Sequence, residues 1–297
     1  MEVSVIIVTF SSAAHIRESL ESVRRQKGVL AETIVVDNAS SDQTVEVVQN
    51  FGEGTQILAN QENIGFGRGC NQGFAVTRGR FIYLLNPDAQ LTSENDLSKL
   101  CREMATHSAW GLAGTRILTA DGQATSPPGT SYPGQFRTRN EFASLPGQVA
   151  WVLGASMFFR RETFAELGGF DPEFFLYSEE TDLCLRLRQR GHEIGFVESV
   201  AVRHIGGASE GSRDPYGEWT RRMNGMHLFW RKHYSPEDAA SLVRRDLYRA
   251  LYRMLANGLL AKFRSDQSTA WQKSRRYRAI WETSRKYLVE QRRFRRR

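Results

Sequence analysis

Along the first third of the chain, runs of consecutive apolar residues alternate with stretches in which apolar positions recur every three or four residues. The run VSVIIVTF at 3–10 lacks a regular polar alternation, the mark of a strand covered on both faces. Residues 33–37, 56–59 and 80–86 repeat that character, and helical patterns fall over 15–25, 67–78 and 93–107. Strands separated by helices of this length predict an α/β domain, Rossmann-like, with a doubly wound and mostly parallel sheet. Ligands bind such sheets beyond the carboxyl ends of the strands, so chemistry is expected at Ser11, over 37–41 and over 86–88.

The stretch 119–148 breaks the pattern. It holds Pro127, Pro128, Pro133 and Pro146 with little apolar periodicity, which predicts a long loop of the kind that usually carries function. The pattern resumes with a strand over 151–159, a short helix over 161–167, a longer one over 179–190 and an extended segment over 193–202. The body ends near Tyr234. Ser235-Pro236-Glu237-Asp238 is a helix start, with Ser as N-cap and Pro at the first helical position. Beyond it Val243, Leu247, Leu251, Leu255 and Leu259 recur at i, i+4 with Arg244, Arg245, Arg249 and Arg253 interleaved. A second basic helix is expected over about 269–294, with Trp271, Tyr277, Trp281, Tyr287 and Leu288 as its apolar members. The expected division is a body of residues 1–231 and a helical region of residues 232–297.

Charge sharpens that division. The 297 residues carry a formal net charge of +7, which looks mildly basic. Residues 232–297, however, hold 18 Lys and Arg against 6 Asp and Glu, leaving 22 against 27 for residues 1–231. An acidic body and a basic tail act on different partners, because exposed charges are felt mainly within a Debye length of roughly 8 Å. Cys70, Cys101 and Cys184 are too few and too scattered for a disulfide framework or a zinc site, which fits a reducing compartment. The apolar start has no basic residue before it and no cleavage site after it, and no run approaches the 18 residues of a membrane span. A cytoplasmic protein, peripheral on a membrane surface, is the expectation.

Five segments have the residue types for chemistry, and each has a structural reading beside the functional one. Asp37-Asn38-Ala39-Ser40-Ser41-Asp42 is either a helix cap or a place where Asp37 accepts a hydrogen bond from a base or ribose. Asn63-Ile64-Gly65-Phe66-Gly67-Arg68-Gly69 lacks the spacing of a dinucleotide fingerprint; it is a tight turn, or a loop that lets backbone and Arg68 approach a phosphate. Asn86-Pro87-Asp88 is a solvated turn or a carboxylate at a strand mouth suited to a hard cation. Ser178-Glu179-Glu180-Thr181-Asp182 opens a helix, where acids gain about 0.3–1 kcal/mol from the dipole. Their mutual repulsion can also raise the pKa of one and prepare a general base. His204, before a glycine turn, is a structural histidine or a metal ligand.

Taken together and in order, VSVIIVTF, VVDNASSD, ENIGFGRGCNQG, YLLNPDA and the block over 151–209 resemble the family 2 glycosyltransferases of the GT-A fold. The resemblance is nearest to bacterial rhamnosyltransferase-like enzymes of cell-surface glycan synthesis and covers about residues 1–230. It implies an inverting, metal-dependent transfer of a sugar, with a lean toward rhamnose, from a nucleoside diphosphate (UDP or dTDP) to a glycan or polyprenyl-linked acceptor. It implies that Asp37 reads the base and that Arg68 and Asn71 belong to the donor-binding segment. Thr9, Asn63, Gly65 and Asn86 fall on the donor side, and Gly154, Ala155, Glu179 and Asp182 on the acceptor side. Asp88, the acid left in the family's DxD motif, would hold Mg²⁺ or Mn²⁺ with His204. Glu180 would be the catalytic base, where the family commonly has Asp. Asn86 replaces the first DxD acid and contributes no charge.

Two other classes remain. A sugar nucleotidyltransferase would share the architecture, but it needs a glycine-rich basic loop after the first strand, where this chain has Thr9-Phe10-Ser11-Ser12. A nucleic-acid-binding protein would use the basic tail with its Trp and Tyr residues. The same tail also suits an anionic membrane surface, packing on the body, or a homo-oligomer contact. With a transferase body, no nucleic acid is expected as a partner.

Overall fold

The computed structural model describes residues 1–52, 54–123, 127–139, 142–206, 214–260 and 267–294, with side chains for all of these but 258–260, 267–270 and 292–294. The chain forms two compact units.

The first unit comprises Met1–Tyr132, Ala143–Phe175 and the segment from Glu179 through the last strand. In chain order its elements are β1 (Val3–Thr9), α1 (Ile16–Arg24), β2 (Ala31–Asp37), α2 (Thr44–Gln49), β3 (Thr55–Ala59), α3 (Phe66–Phe74), β4 (Phe81–Leu85) and β5 (Ala89–Leu91). They continue with α4 (Asp96–Thr106), β6 (Trp110–Leu118), β7 (Ser156–Arg160), α5 (Arg161–Glu166), α6 (Glu179–Gln189) and β8 (Glu193–His204). Eight strands form one sheet in the order β3-β2-β1-β4-β7-β6-β8-β5. β3, β2, β1 and β4 are parallel, as are β6 and β8, whereas β7 runs antiparallel to both neighbours and β5 antiparallel to β8.

Both faces of the sheet are covered, which is why β1 reads as an unbroken apolar run. Its Val3, Val5 and Ile7 join one core with Ile16, Leu20 and Leu97, while Ile6 and Val8 join another with Cys70, Phe164 and Leu183. β4 alternates likewise: Phe81, Tyr83 and Leu85 go to the first core, Ile82 and Leu84 to the second. Strand order reverses at β1, whose neighbours are β2 on one side and β4 on the other. The carboxyl ends of β1, β2 and β4 therefore open onto the crevice where such sheets bind ligands.

The sheet is mostly parallel, as expected, with two antiparallel strands, β7 and β5. Other expectations need correction. A nine-residue strand, β6, lies where no element was expected. Of the strand expected over 151–159, Ser156–Arg160 is strand and Trp151 makes only an isolated bridge to Gly129. Within 119–148, the described residues contain one short 3₁₀ turn, Gln135–Arg137; residues 124–126, 140 and 141 of that loop lie outside the described ones.

The second unit comprises Pro133–Phe142, Leu176–Ser178 and three helices: α7 (Pro215–His233), α8 (Pro236–Leu260) and α9 (Gln267–Phe294). α7 was not expected. It starts on Asp214, whose carboxylate accepts from the amides of Tyr216 and Gly217 and pairs with Arg275 at 2.7 Å. α8 starts where the sequence predicts, with Ser235 Oγ accepting from the Asp238 amide at 3.1 Å. Met223, Ala250 and Ile280 join the three helices, with Trp219, Tyr277 and Trp281 packed around them. The Gly225 backbone passes so close to the Tyr177 carbonyl that a Cβ there would fall 2.1 Å from its oxygen. Arg222 lies over the Tyr177 ring at 4.3 Å. Among the described residues no helix is long and apolar enough to cross a membrane.

The expected stripe on α8 does not stay on one face. At about 100° per residue, each four-residue step turns by about 40°. Val243 is buried, Leu247 half-buried, and Leu251 and Leu255 are exposed. The packed face is Ala239, Leu242, Val243 and Ala250; the side chain of Leu259 lies outside the described ones.

Candidate active site

The site is assembled at the strand ends of the first unit. Parallel register sets Thr9 opposite Asp37, and the Thr9 hydroxyl donates to Asp37 Oδ1 at 2.7 Å. Ser40 donates to the same carboxylate twice, from its hydroxyl at 2.5 Å and from its amide at 2.9 Å. Asp37 is thus buried with three of about four acceptor positions filled from within the chain, which leaves room for one outside donor. Ser11 (φ 50°) and Ala39 (φ 60°) take left-handed backbone here, and the Ser11 amide donates to Ser40 Oγ. Next to Asp37, Asn38 donates to the Gly65 carbonyl and accepts from Asn60, which exchanges amide hydrogen bonds with Gln72. This network ties β2 and β3 to the glycine-rich segment. Sequence reasoning missed Asn60 and Gln72, which only folding brings together, while Ser40, three residues after Asp37, was legible as a turn residue.

The glycine-rich segment is held as a tight loop. Asn63 Oδ1 accepts from the Gly65 amide, and Gly65 has φ 89° with a Cβ position 2.5 Å from the Phe175 carbonyl oxygen, so only glycine fits. Asn71 is used in a two-way clamp on Phe170, donating to its carbonyl and accepting from its amide, both at 2.8 Å. Arg68 is exposed and donates through Nε to the Pro172 carbonyl. Both tie α3 to 170–172, a structural use beside the expected donor-binding one.

Antiparallel pairing of β5 with β8 puts His204 opposite Ala89, and so against Asp88. His204 Nε2 lies 3.2 Å from Asp88 Oδ1 and 3.2 Å from the Asn86 side-chain amide. The Gly206 amide donates to Asp88 Oδ2. Burial by itself raises the Asp88 carboxyl, but the hydrogen bond and charge of His204 and the backbone amides outweigh it and hold the group below its ordinary value. The donor set fits a divalent cation. Two ligands at right angles, each about 2.1 Å from an octahedral ion, stand about 3 Å apart. A rotated Asn86 amide turns its oxygen to the same point. Among the described residues no third His, Cys, Asp or Glu joins them, so the remaining coordination would fall to water and phosphate oxygens.

The Asn86 backbone N–H donates to the Ala155 carbonyl, and Gly154 lies against Glu180, a Cβ there falling 3.6 Å from the Glu180 Cβ and 3.9 Å from the Phe66 ring. Asn86, Ala155, Gly154 and Glu180 thus form a continuous path from the cation-suited turn to α6. Two consecutive non-glycine residues, Tyr177 (φ 72°) and Ser178 (φ 69°), take left-handed backbone just before that helix. Backbone of this kind persists only where the surroundings enforce it. Asp182 is buried and pairs with Arg186 at 2.8 Å; Arg186 also donates to the Leu167 and Gly169 carbonyls.

The raised carboxyl on α6 is Glu179. Burial, with the Glu180 carboxylate alongside, pushes it well above the ordinary value, and its Oε2 has no hydrogen-bond partner. Folded protein therefore holds a proton that unfolded chain releases near pH 4.5. The resulting stabilisation is complete below that pH and is lost as pH rises toward the folded value. Replacing Glu179 by Gln removes the titration: thermal melts of variant and parent should run close together at about pH 5, with the variant ahead at about pH 8.

A sheet of this order with helices on both faces is the GT-A fold. The family model for glycosyl transferase family 2 matches residues 4–168, and the chain belongs to that family. It is a glycosyltransferase similar to rhamnosyltransferases. The N-acetylglucosaminyl-diphospho-decaprenol L-rhamnosyltransferase of Mycobacterium tuberculosis is 25% identical over 256 residues, spanning 76% of this chain and 82% of that protein. The low-salt glycan biosynthesis hexosyltransferase Agl10 of Haloferax volcanii is 25% identical over 217 residues, 68% of this chain and 67% of its own. Among solved structures, mannosyltransferase PcManGT from Pyrobaculum calidifontis, in complex with GDP-Man and Mn²⁺, aligns with a TM-score of 0.61 at 18% identity. That alignment covers 97% of this chain and 85% of the other.

Proposed function

We propose that the protein transfers a hexose-type sugar, with rhamnose the first candidate, from a nucleoside diphosphate to a hydroxyl of a lipid-linked glycan, inverting the anomeric centre. It acts at the cytoplasmic face of a membrane, where such an acceptor is held. The observation that carries the reading is the path of neighbouring residues from Asp88, His204 and Asn86 through Ala155 and Gly154 to Glu180, which supports a cation and a carboxylate serving the same site. The rhamnose lean and the polyprenyl-linked acceptor rest on what the mycobacterial relative is called.

Glu180 takes the proton of the acceptor hydroxyl as its oxygen attacks the anomeric carbon, and the nucleoside diphosphate leaves from the opposite side. Asp37 accepts from the base or ribose through its remaining position, with Thr9 and Ser40 fixing its orientation. Backbone at Gly65 and the side chain of Arg68 face the phosphates, with Asn63 and Asn71 holding that loop in shape. Asp88, His204 and Asn86 would hold Mg²⁺ or Mn²⁺. When bound, the ion neutralises charge on the leaving diphosphate. Gly154, Ala155, Glu179 and Asp182 line or support the acceptor side.

The test is a panel of nucleotide sugars, among them dTDP-rhamnose, UDP-glucose and GDP-mannose, offered to purified protein with and without Mn²⁺. Free nucleoside diphosphate released only with an acceptor supports transfer, whereas pyrophosphate released from a nucleoside triphosphate and a sugar phosphate would move the protein to the nucleotidyltransferases. Asp88→Ala should abolish stimulation by Mn²⁺ and weaken Mn²⁺ binding in calorimetry with UDP present. Unchanged stimulation would remove Asp88 from the cation.

A further inference from the structure

α8 is apolar on two opposite faces. Ala239, Leu242, Val243 and Ala250 make the packed one. On the other side Tyr248, Leu251, Tyr252 and Leu255 stand at i, i+3, i+4 and i+7, a single stripe along the helix, and are 64%, 38%, 68% and 63% exposed. This is the largest run of exposed large apolar side chains on any described helix. Exposed Arg244 precedes the stripe by one turn, and exposed Arg249 and Arg253 lie beyond its Tyr252 edge. Between residues 239 and 260 the one acid is Asp246, which is half-buried toward the packed side.

We infer that this face of α8 docks on an anionic phospholipid bilayer. An apolar stripe carrying tyrosines, bordered by arginines and free of acids, matches the interface between acyl chains and negative headgroups. Leu251 and Leu255 enter the acyl boundary, the tyrosine rings bury while their hydroxyls stay wet, and the arginines reach back to phosphate. A second copy is a poorer occupant: pairing the same face across a two-fold axis sets arginine rows against each other with no carboxylate between them. Nucleic acid is poorer too, because bases stack on aromatic rings and the stripe alternates these with leucines. The 18 basic against 6 acidic residues over 232–297 add attraction along that stretch of the chain.

The inference rests on the proposed transfer only for where the membrane matters, and its test uses neither donor nor acceptor. Full-length protein is sedimented with vesicles of phosphatidylcholine alone or with about a third phosphatidylglycerol, at low and high salt. Binding to the anionic vesicles is expected, with the double variant Leu251→Glu/Leu255→Glu partitioning at least about tenfold more weakly. The variant should keep the parent's thermal melt and its turnover on a water-soluble acceptor, since both side chains are exposed. Arg249→Ser/Arg253→Ser should weaken anionic binding and flatten its salt dependence while leaving the melt unchanged. Equal partitioning of parent and leucine variant overturns the proposal, as does failure of the parent to bind. A loss of oligomeric state in the leucine variant on size-exclusion chromatography, or displacement from vesicles by an oligonucleotide at equal charge, would assign the face to another copy or to nucleic acid instead.

Discussion

Glu180→Gln should lower the turnover number by about 10²–10⁴-fold while leaving the affinity for the nucleotide sugar within a fewfold of the parent's, measured by single-turnover kinetics and calorimetry. The amide keeps the shape of the carboxylate and its contact with Gly154, so packing there is preserved. Its neighbour gives the contrast. Glu179 is buried with an unpartnered oxygen, and burial beside the Glu180 carboxylate pushes its carboxyl well above the ordinary value, disfavouring the charged form that would accept a proton. Glu179→Gln should therefore retain most of the activity and change the pH dependence of stability instead. Near-normal turnover in the Glu180 variant, or collapse of activity in the Glu179 variant alone, would reverse the roles of the two.

The contrast shows which features of the site were legible in the sequence. Three acids opening a helix signalled a perturbed carboxyl, yet nothing local says which one points inward, because that depends on where α6 meets the sheet. Likewise Asp88 and His204 were each visible as a polar residue at a strand mouth. Their 3.2 Å approach follows from the antiparallel register of β5 on β8, two strands separated by more than a hundred residues. β1, β2 and β4 were legible because burial on both faces writes an unbroken apolar run. β6 was not, because its glycines dilute that signal. Gly111 and Gly114 are there for close packing: a Cβ at Gly111 would fall 2.7 Å from Thr163, and one at Gly114 would fall 2.5 Å from Val152. The reversed direction of β7 is set by the route of the chain through the long loop, and no residue of the strand encodes it. On α8 the i, i+4 spacing was real, but it mixed residues of two faces, and the exposed half turned out to carry the more informative pattern.

The long loop supplies the second large effect. Its return to the sheet is clamped by Arg188, a buried residue two turns beyond Glu180 on α6. Arg188 donates through Nε to the Pro146 carbonyl at 2.8 Å and through Nη2 to the Leu145 and Gly147 carbonyls at 3.1 and 2.9 Å, and its Nη1 reaches the Tyr132 hydroxyl at 3.3 Å. Charged hydrogen bonds of this kind contribute about 1.5–3 kcal/mol each. The three carbonyls are half-buried, so water recovers part of what is lost. Arg188→Met should therefore cost about 3 kcal/mol and lower the melting temperature by roughly 6–12 °C for a domain of this size. Arg188→Lys should recover only a fraction, because an ammonium group cannot span three carbonyls with a planar fork. The same clamp joins the loop to α6, the helix that carries Glu180. The methionine variant should accordingly open new cleavage within 119–148 under limited proteolysis and raise KM for the acceptor more than it lowers turnover. A melt and a cleavage pattern identical to the parent's would mean that the loop is held by its own packing around Tyr132 and Trp151, with the guanidinium incidental.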